Sequence, residues 1–337
     1  AGIGGSGITS SGTITGFGSI FVNGVEYATN SATFSIDDDP TLTTEDKLAT
    51  GMRVIVEGEI NSDGVTGTAT RVSFDDQLQG PISNVSAIDA DGTGRTITVL
   101  GTTVQLNSTS TIFDISGTAT GPFGFDDPDI QLDDNVEISG FPDSNGVLQA
   151  TRVELKQDTF VPNSSIVELK GPIVGLSGTN FSVNNINVNA ASADIDDLPG
   201  GLFENALVEV KGTCADASCN PINATRVEGQ TPGFDDNLKV ELEGVITRYN
   251  GDNDFDVDGF PVDASGTGVE RIPSTLTLGI DKEVEVEGTV TGGKLVAVKV
   301  KDEGGSLKVS AMVTSVNAAD GSFEVSPVTG EPAITVK

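Results

Sequence analysis

Short runs of Val, Ile, Leu and Phe recur along the whole chain, and Gly, Asn and Asp separate them. Within the runs apolar and polar residues alternate. Val54 and Val56 point to one face, while Arg53, Ile55 and Glu57 point to the other. A period of two predicts β-strands, and the frequent turn residues predict that the strands are short. No apolar stretch reaches the roughly 18 residues that cross a bilayer as a helix.

The alternating runs belong to an internal repeat, which three landmarks define. A strand that ends in Gly occurs at residues 54–58, 136–140, 208–212 and 284–288. Ala-Thr-Arg-Val or a close variant follows it at residues 69–72, 150–153, 224–227 and 297–300. Each unit opens with a Gly-x-Ile strand at residues 12–14, 80–82, 171–173 and 244–246, and a degenerate opening lies at 311–313.

These landmarks divide the chain into four full repeats and one partial repeat. The predicted segments are a Gly-rich N-terminal segment (1–11), repeat 1 (12–77), repeat 2 (78–156), repeat 3 (166–229), repeat 4 (238–303) and a partial fifth repeat (307–337). Linkers rich in Pro, Asn and Ser separate some of the repeats, and short junctions favour a semi-rigid arrangement.

Each repeat shows the same order of predicted elements. The opening strand leads into a hairpin, and Asn23-Gly24 at the tip of the first hairpin is a strong signal for a type I′ turn. A weak helical signal follows at residues 42–48, after Asp39-Pro40. Five strands with a helical segment between the third and fourth are typical of a small OB-like barrel. The predicted fold is therefore all-β, a tandem array of small five-stranded OB-like β-barrels that forms an elongated rod; a row of β-sandwich domains is the alternative.

Charge and composition exclude several functions. The chain has 18 Lys and Arg against 50 Asp and Glu, a formal net charge of −32, and no His. Catalysis and zinc binding that depend on His are therefore excluded. Nucleic acid is an unfavourable partner, because its binding depends on Lys and Arg. Neither a nucleophile–base pair nor a cofactor motif is apparent, so we expect a protein that is not an enzyme and has no cofactor.

The motifs also resemble a known family. The run at residues 1–8, the segment 12–25 and the landmarks of all four repeats resemble secreted, often lipoprotein-like bacterial proteins. Those proteins are built from tandem copies of a domain of unknown function with a predicted OB-like fold. The resemblance covers nearly the whole chain and implies fold and export rather than an activity. We therefore expect an extracellular or cell-surface protein, secreted through a cleaved signal peptide that this chain does not contain; the lipobox Cys usual in that family is missing here.

Two cysteines, Cys214 and Cys219, fall near the tip of one predicted hairpin. Four intervening residues are few for a metal site, and no further Cys or His could complete one. We predict a local disulfide, which agrees with an extracellular location. A redox-active pair is the alternative, although no motif favours it.

Acidic residues raise the question of calcium. The segment Asp254-Phe-Asp-Val-Asp-Gly259 matches the first half of an EF-hand loop, but position twelve is Ser265 rather than Glu. The segment also aligns with the hairpin of repeat 1, so a hairpin is the preferred interpretation. Acidic clusters in other loops could hold Ca²⁺ loosely, although solvated loops are more common. The weak Ca²⁺ candidates are Asp37, Asp38, Asp39, Asp254, Asp256 and Asp258.

The partial fifth repeat suggests an assembly. It contains an opening strand and a hairpin-like pair, but neither a Gly-ended strand nor an Ala-Thr-Arg-Val strand follows. A half-barrel exposes apolar faces and strand edges unless another strand pairs with it. We hypothesise that the segment 1–11 of a neighbouring copy donates this strand, which gives a head-to-tail polymer. The predicted polymer contacts are Ile3, Ile8, Val309, Val313, Phe323 and Val325.

Two functional classes remain open. The first is a structural subunit of an extracellular bacterial filament. The second is a monomeric cell-surface or periplasmic binding module for a glycan or Ca²⁺. Sugar binding lacks support from the composition, because the chain has no Trp and only two Tyr as stacking platforms.

Overall fold

A computed structural model describes residues 7–37, 41–230, 234–303, 312–317, 322–326 and 334–336. These residues form 28 β-strands and a single 3₁₀ turn, Glu45–Lys47. The all-β fold class and the tandem barrels predicted from the sequence are confirmed. In the described part of the chain, no helix is long and apolar enough to cross a membrane.

Repeat 1 forms a closed five-stranded barrel with an additional strand. Its strands are β1 Ile8–Gly16, β2 Ile20–Val22, β3 Val25–Ala28, β4 Thr33–Ile36, β5 Arg53–Ile60 and β6 Thr66–Phe74. The pairing runs β1–β2–β3–β6–β5 and returns to β1. Only β3 and β6 are parallel among these pairs, which gives the strand order of an OB-like barrel. Ile14, Tyr27, Val56 and Val72 are fully buried in its core.

Repeats 2 and 4 close in the same way. Repeat 2 contains β7 Leu78–Val85, β8 Gly94–Val99, β9 Thr102–Asn107, β10 Ile112–Ile115, β11 Asn135–Pro142 and β12 Leu148–Gln157. Repeat 4 contains β20 Lys239–Gly251, β21 Asp254–Val257, β22 Phe260–Asp263, β23 Glu270–Ile272, β24 Glu283–Thr291 and β25 Lys294–Asp302. In repeat 2, β9 pairs in parallel with β12, and β11 pairs with β7. In repeat 4, β22 pairs in parallel with β25, and β24 pairs with β20.

Repeat 3 has the same order with an interrupted opening strand. Its strands are β13 Val167–Pro172, β14 Val174–Ser177, β15 Asn180–Val183, β16 Ile186–Asn189, β17 Asp194–Asp196, β18 Leu207–Cys214 and β19 Ile222–Gly229. The break falls at Ile173, whose side chain is fully buried. Here β13 pairs with β18, and β14 pairs with β15. The two parts together occupy the place of a single first strand.

The hairpin tips have the predicted turn geometry. At each tip both central residues have positive φ, as a type I′ turn requires. The four pairs are Asn23-Gly24, Leu100-Gly101, Asn184-Asn185 and Asp258-Gly259. The Asn23 side chain also donates a hydrogen bond back to the Ser11 carbonyl oxygen, so the tip is tied to the opening strand.

The fourth strand of each five-stranded barrel is β5, β11, β18 or β24. The repeated glycine of this strand has a different role from the predicted one. In every barrel the strand continues beyond this glycine, and the pairing register shifts immediately before it. A Cβ atom at Gly58 would collide with the Thr68 carbonyl oxygen of the neighbouring strand, and the other three glycines are crowded alike. The glycine therefore permits a β-bulge with close backbone contact, which bends the strand around a small barrel.

The helix predicted at residues 42–48 does not form. The described residues there contain only the 3₁₀ turn Glu45–Lys47, which has no buried residue. An extra short strand before the fourth barrel strand was missed in every repeat: β4, β10, β17 and β23. Each of them pairs in parallel with the last strand of its own barrel. In repeat 1 this strand, β4, precedes residues 42–48, so it does not replace the predicted helix.

The arrangement of the barrels differs from the expected rod. In a rod, only consecutive barrels would touch. Instead, β1 of repeat 1 pairs in parallel with β20 of repeat 4, from Ile8↔Lys239 to Ser11↔Leu242. The consecutive repeats 2 and 3 are joined by antiparallel pairing of β7 with β13. The first and fourth barrels therefore share one sheet, and their outer faces bury polar residues against each other.

The fifth repeat contributes a separate sheet of three antiparallel strands. These are β26 Met312–Asn317, β27 Ser322–Ser326 and β28 Ile334–Val336. The central strand β27 pairs with both of the others. Among the described residues, the outer edges of β26 and β28 have no paired strand.

Candidate functional site at the junctions between repeats

Glutamates on the outer faces of the barrels are buried where the barrels meet. Glu137, Glu209 and Glu285 follow the first Val of the repeated fourth strand, so alternation points them away from their own core. Each is nevertheless at most 5% exposed. Lysines accompany them: Lys156 lies 2.9 Å from Glu137, and Lys301 lies 3.1 Å from Glu285. The outer faces are therefore internal, charged surfaces of the assembled protein.

The β1–β20 interface contains a buried polar network. The Ser10 hydroxyl donates a hydrogen bond of 2.7 Å to Glu241 Oε2 and lies 2.7 Å from the Tyr27 hydroxyl. Burial raises the pKa of Glu241 to about 7, although the Ser10 hydrogen bond opposes this shift. Repeat 1 thus places a hydroxyl against a carboxyl group of repeat 4 that titrates near neutral pH.

Arg53 connects three repeats. It lies on β5 of repeat 1, and its guanidinium group forms an ion pair with Asp258 at the hairpin tip of repeat 4. Its guanidinium carbon also lies 4.6 Å from the ring centroid of Phe141 in repeat 2. The Arg53 and Asp258 side chains are only 15% and 9% exposed. Such a pair is far less screened than one on the surface.

A larger acidic cluster lies where repeats 1, 2 and 3 meet, and we call it the acidic junction. Its carboxylates and lysines are Asp37, Asp75, Asp76, Glu168, Glu209, Lys170 and Lys211. Asp75 and Asp76 lie in the link between β6 and β7, whereas Glu168 lies on β13. One carboxylate oxygen from each of these three residues lies within 4.8 Å of the others.

Burial dominates the electrostatics of the acidic junction. Desolvation raises the pKa of Asp75 to about 6, against the opposing effect of Lys170. It raises the pKa of Asp37 to about 7, and the nearby Glu137 adds to this shift. It also raises the pKa of Asp76 well above its usual range, reinforced by Glu168. These carboxyl groups are therefore costly to ionise without a compensating cation.

The acidic segment of repeat 4 does not form a calcium loop. Asp254 and Asp256 both bind Arg248, at 2.8 and 2.5 Å, and Asp258 binds Arg53. The segment is the hairpin strand β21, with Phe255 buried inside the barrel. Arginines therefore engage all three carboxylates, and the three do not converge on one point.

The other calcium candidates lie elsewhere. Asp37 belongs to the acidic junction, and its carbonyl oxygen accepts a hydrogen bond of 3.3 Å from Lys211. Asp38 and Asp39 lie outside the described residues. Among the described candidates, Asp37 alone belongs to the acidic junction.

The predicted polymer contacts fall into three groups. Ile8 lies on β1 and is paired within this chain to Gly58 and to Lys239, so residues 8–11 are already held between two strands. Val313 on β26 faces Val325 on β27 in the pairing register. Phe323 is also on β27. Ile3 and Val309 lie outside the described residues.

Cys214 and Cys219 form the predicted disulfide, with 4.9 Å between their Cα atoms. Cys214 ends β18, and Cys219 lies in the turn before β19. Both side chains are fully buried. The bridge closes the hairpin tip of repeat 3.

A cleft of about 790 Å³ with both apolar and polar groups in its lining lies between repeats 1, 2 and 4. Hydroxyl, amide and carboxylate groups line much of it, among them Asn23, Gln105, Thr109 and Glu243. Phe141 also borders it, but that side chain is only 2% exposed, and Arg53 covers its ring. The cleft therefore offers hydrogen-bonding groups rather than an aromatic platform.

The fold and these junctions define a protein of tandem OB-like barrels. A family model described as "Domain of unknown function (DUF5666)" matches residues 8–73, 79–154 and 243–301. The chain belongs to this family. The matches cover the barrels of repeats 1, 2 and 4, and the structure adds repeat 3 with the same strand order.

Other comparisons add little. No curated protein matches the chain. Among solved structures, the chain is similar to one described as "drosophila Unr CSD456", at 13% identity and a TM-score of 0.16. That similarity covers 69% of this chain and 99% of the other. A score this low carries no argument about function.

Proposed function

We propose that the protein is a structural subunit of an extracellular bacterial filament, and that its chains join by pairing of strands between subunits. The observation that supports this proposal is the three-stranded sheet β26–β28. Its two outer edges pair with no strand among the described residues. An unpaired edge exposes backbone donors and acceptors that an added strand can satisfy.

Strand pairing between barrels already occurs within the chain, at β1–β20 and β7–β13. The edge strand β26 also carries Val316, which is 72% exposed. An exposed apolar side chain on an open edge favours the addition of another strand. Residues 8–11 are engaged in the repeat 1 barrel, whereas the outer edges of β26 and β28 pair with no strand in the described part of the chain. These edges are therefore better placed for assembly than residues 8–11 are.

The residue types of the chain agree with a structural role outside the cytosol. The chain has no His, and its two cysteines are joined in a disulfide. Disulfides persist in oxidising environments outside the cytosol. Mechanical assembly requires shape and stable interfaces rather than a nucleophile or a cofactor.

The test compares two exposed valines. Val316→Lys places a charge on the edge strand β26, whereas Val298→Lys places one on β25, which is paired on both sides. The control position is 56% exposed. We expect the wild type and Val298→Lys to form elongated polymers in light scattering and negative-stain microscopy, and Val316→Lys to lose them. A wild-type chain that stays monomeric at high concentration, or a Val316→Lys chain that polymerises equally well, would contradict the proposal.

A monomeric binding module for a glycan is the second candidate, and the cleft between repeats 1, 2 and 4 favours it. Hydroxyl and amide groups around a concave site suit carbohydrate hydroxyls. Thr109→Arg would fill the cleft, and Thr70→Arg on the exposed face of β6 is the control. On a glycan array, the cleft variant alone should lose any ligand that the wild type binds. Equal binding by all three proteins would exclude the cleft.

A further inference from the structure

Three carboxylates of the acidic junction converge from two separate parts of the chain. Asp75 and Asp76 come from the link between repeats 1 and 2, and Glu168 comes from repeat 3. Asp76 and Glu168 are each only 1% exposed. Two such buried carboxylates side by side are strongly unfavourable unless positive charge lies between or beside them.

Each of the three residues has a buried oxygen without a hydrogen-bond partner. These atoms are Asp75 Oδ1, Asp76 Oδ1 and Glu168 Oε1, to which no group in the described part of the chain donates. Buried polar atoms are almost always paired, so three unpaired oxygens in one cluster require an explanation. An ion bound among these carboxylates would supply the positive partner that the cluster lacks.

The neighbouring lysines use the other oxygens. Lys170 lies 2.5 Å from Asp75 Oδ2 and also donates to the Asp76 carbonyl oxygen. Lys211 lies 2.9 Å from Glu168 Oε2. The two ammonium groups are therefore committed to atoms other than the unpaired ones. They also balance only part of the charge, since Glu209 lies 3.3 Å from Lys170 as well.

We propose that Asp75, Asp76 and Glu168 bind a calcium ion that ties the link between repeats 1 and 2 to repeat 3. Carboxylate oxygens are hard ligands that Ca²⁺ accepts in irregular arrangements, whereas Mg²⁺ demands near-ideal octahedral geometry. Softer metals prefer imidazole or thiolate ligands, but the chain has no His and its cysteines are disulfide-bonded. Water completes the coordination. This inference does not depend on the filament proposal, because the site lies within one chain.

Shared protons are the competing explanation. The raised pKa values of Asp75 and Asp76 mean that protons could neutralise the cluster in the absence of metal. Binding is therefore measured at pH 8, where protonation of these groups is least. Chelator-treated full-length protein is titrated with calcium chloride by calorimetry, and magnesium chloride is titrated in parallel.

Two variants of the site and one control separate the outcomes. Asp76→Asn and Glu168→Gln keep the side-chain shape but remove one charged ligand each. Asp254→Asn is the control, because Asp254 belongs to the EF-hand-like segment that the sequence suggested and lies in repeat 4. Circular dichroism verifies that each variant is folded, and Glu168→Gln serves if Asp76→Asn does not fold.

We expect one Ca²⁺ per wild-type chain, weaker binding of Mg²⁺, and at least tenfold weaker Ca²⁺ binding in Asp76→Asn and Glu168→Gln. The control should bind as the wild type does. In thermal unfolding, Ca²⁺ at 100 times its Kd should raise the wild-type Tm by about 4 °C. The absence of Ca²⁺ binding by the wild type would overturn the proposal in favour of protons alone, and unchanged binding in both site variants would place the ion elsewhere.

Discussion

Replacing Arg53 with Ala tests whether the barrels of repeats 1, 2 and 4 are packed together. The substitution removes the ion pair with Asp258 and the stacking on Phe141, and it leaves the Asp258 carboxylate buried without its partner. Loss of one member of a buried ion pair costs about 3–5 kcal/mol, and a cation–π contact adds about 1 kcal/mol. Because the two side chains are 15% and 9% exposed, we expect the lower part of this range, about 3 kcal/mol.

The matched control is Arg248→Ala. Arg248 also binds two aspartates, but both belong to its own barrel, and its side chain is 39% exposed. An exposed pair of this kind contributes little to stability, because water and salt screen it. The assay is chemical denaturation followed by circular dichroism, with the midpoint and slope compared between variants.

A double-mutant cycle isolates the contact between repeats 1 and 4. It combines Arg53→Ala with Asp258→Asn, and we expect a coupling energy of about 1–3 kcal/mol. An Arg53→Ala variant as stable as Arg248→Ala, or a coupling energy near zero, would refute the packing of these barrels described above.

Three further predictions concern single features. Gly140→Ala should destabilise the protein by about 1–3 kcal/mol, because its Cβ would collide with a carbonyl oxygen of the neighbouring strand, whereas Gly279→Ala, which has open space around it, should be neutral in the same denaturation assay. Replacing both Cys214 and Cys219 with Ala should cost about 2 kcal/mol, since the closed loop is short; an unchanged midpoint would show that the bridge is dispensable. The folded-state pKa of Glu241 is about 7, above its usual 4.5, so the folded protein binds more protons than the unfolded chain between about pH 4.5 and 7. Its contribution to stability should therefore fall as the pH rises through that window, and Glu241→Gln should flatten this part of the stability profile; an unchanged profile would contradict the assignment.

Much of the barrel architecture follows from local sequence. Alternation specifies which side chains enter each core, so Val54 and Val56 are buried as expected. Asn23-Gly24 specifies its turn, because both residues tolerate positive φ. The recurring glycine marks each repeat in the sequence, but its role in a bulge depends on the neighbouring strand, as the contact at Gly58 shows.

The contacts between barrels could not be predicted from local sequence patterns. Alternation correctly points Glu209 away from its own barrel core, and such a position is ordinarily exposed to solvent. Only the tertiary arrangement covers it, because the link that carries Asp75 passes over the same face. The sequence does contain one signal of this burial, because Glu137, Glu209 and Glu285 recur at the same position of three repeats. A solvent-exposed surface without partners would not require a glutamate at that position. Asp75 and Asp76 are adjacent in the sequence, but nothing local brings them to Glu168.

Pairing between β1 and β20 is the central claim of this account, because it distinguishes a closed cluster of barrels from a rod. Ser10 and Glu241 are register partners in this pairing, and their side chains are in hydrogen-bond contact. The most direct measurement is therefore oxidation of the double variant Ser10→Cys and Glu241→Cys, with Ser10→Cys alone as the control. Peptide mapping under non-reducing conditions should identify a disulfide between positions 10 and 241 within a single chain. Two free thiols at these positions in the folded, oxidised protein would contradict the account.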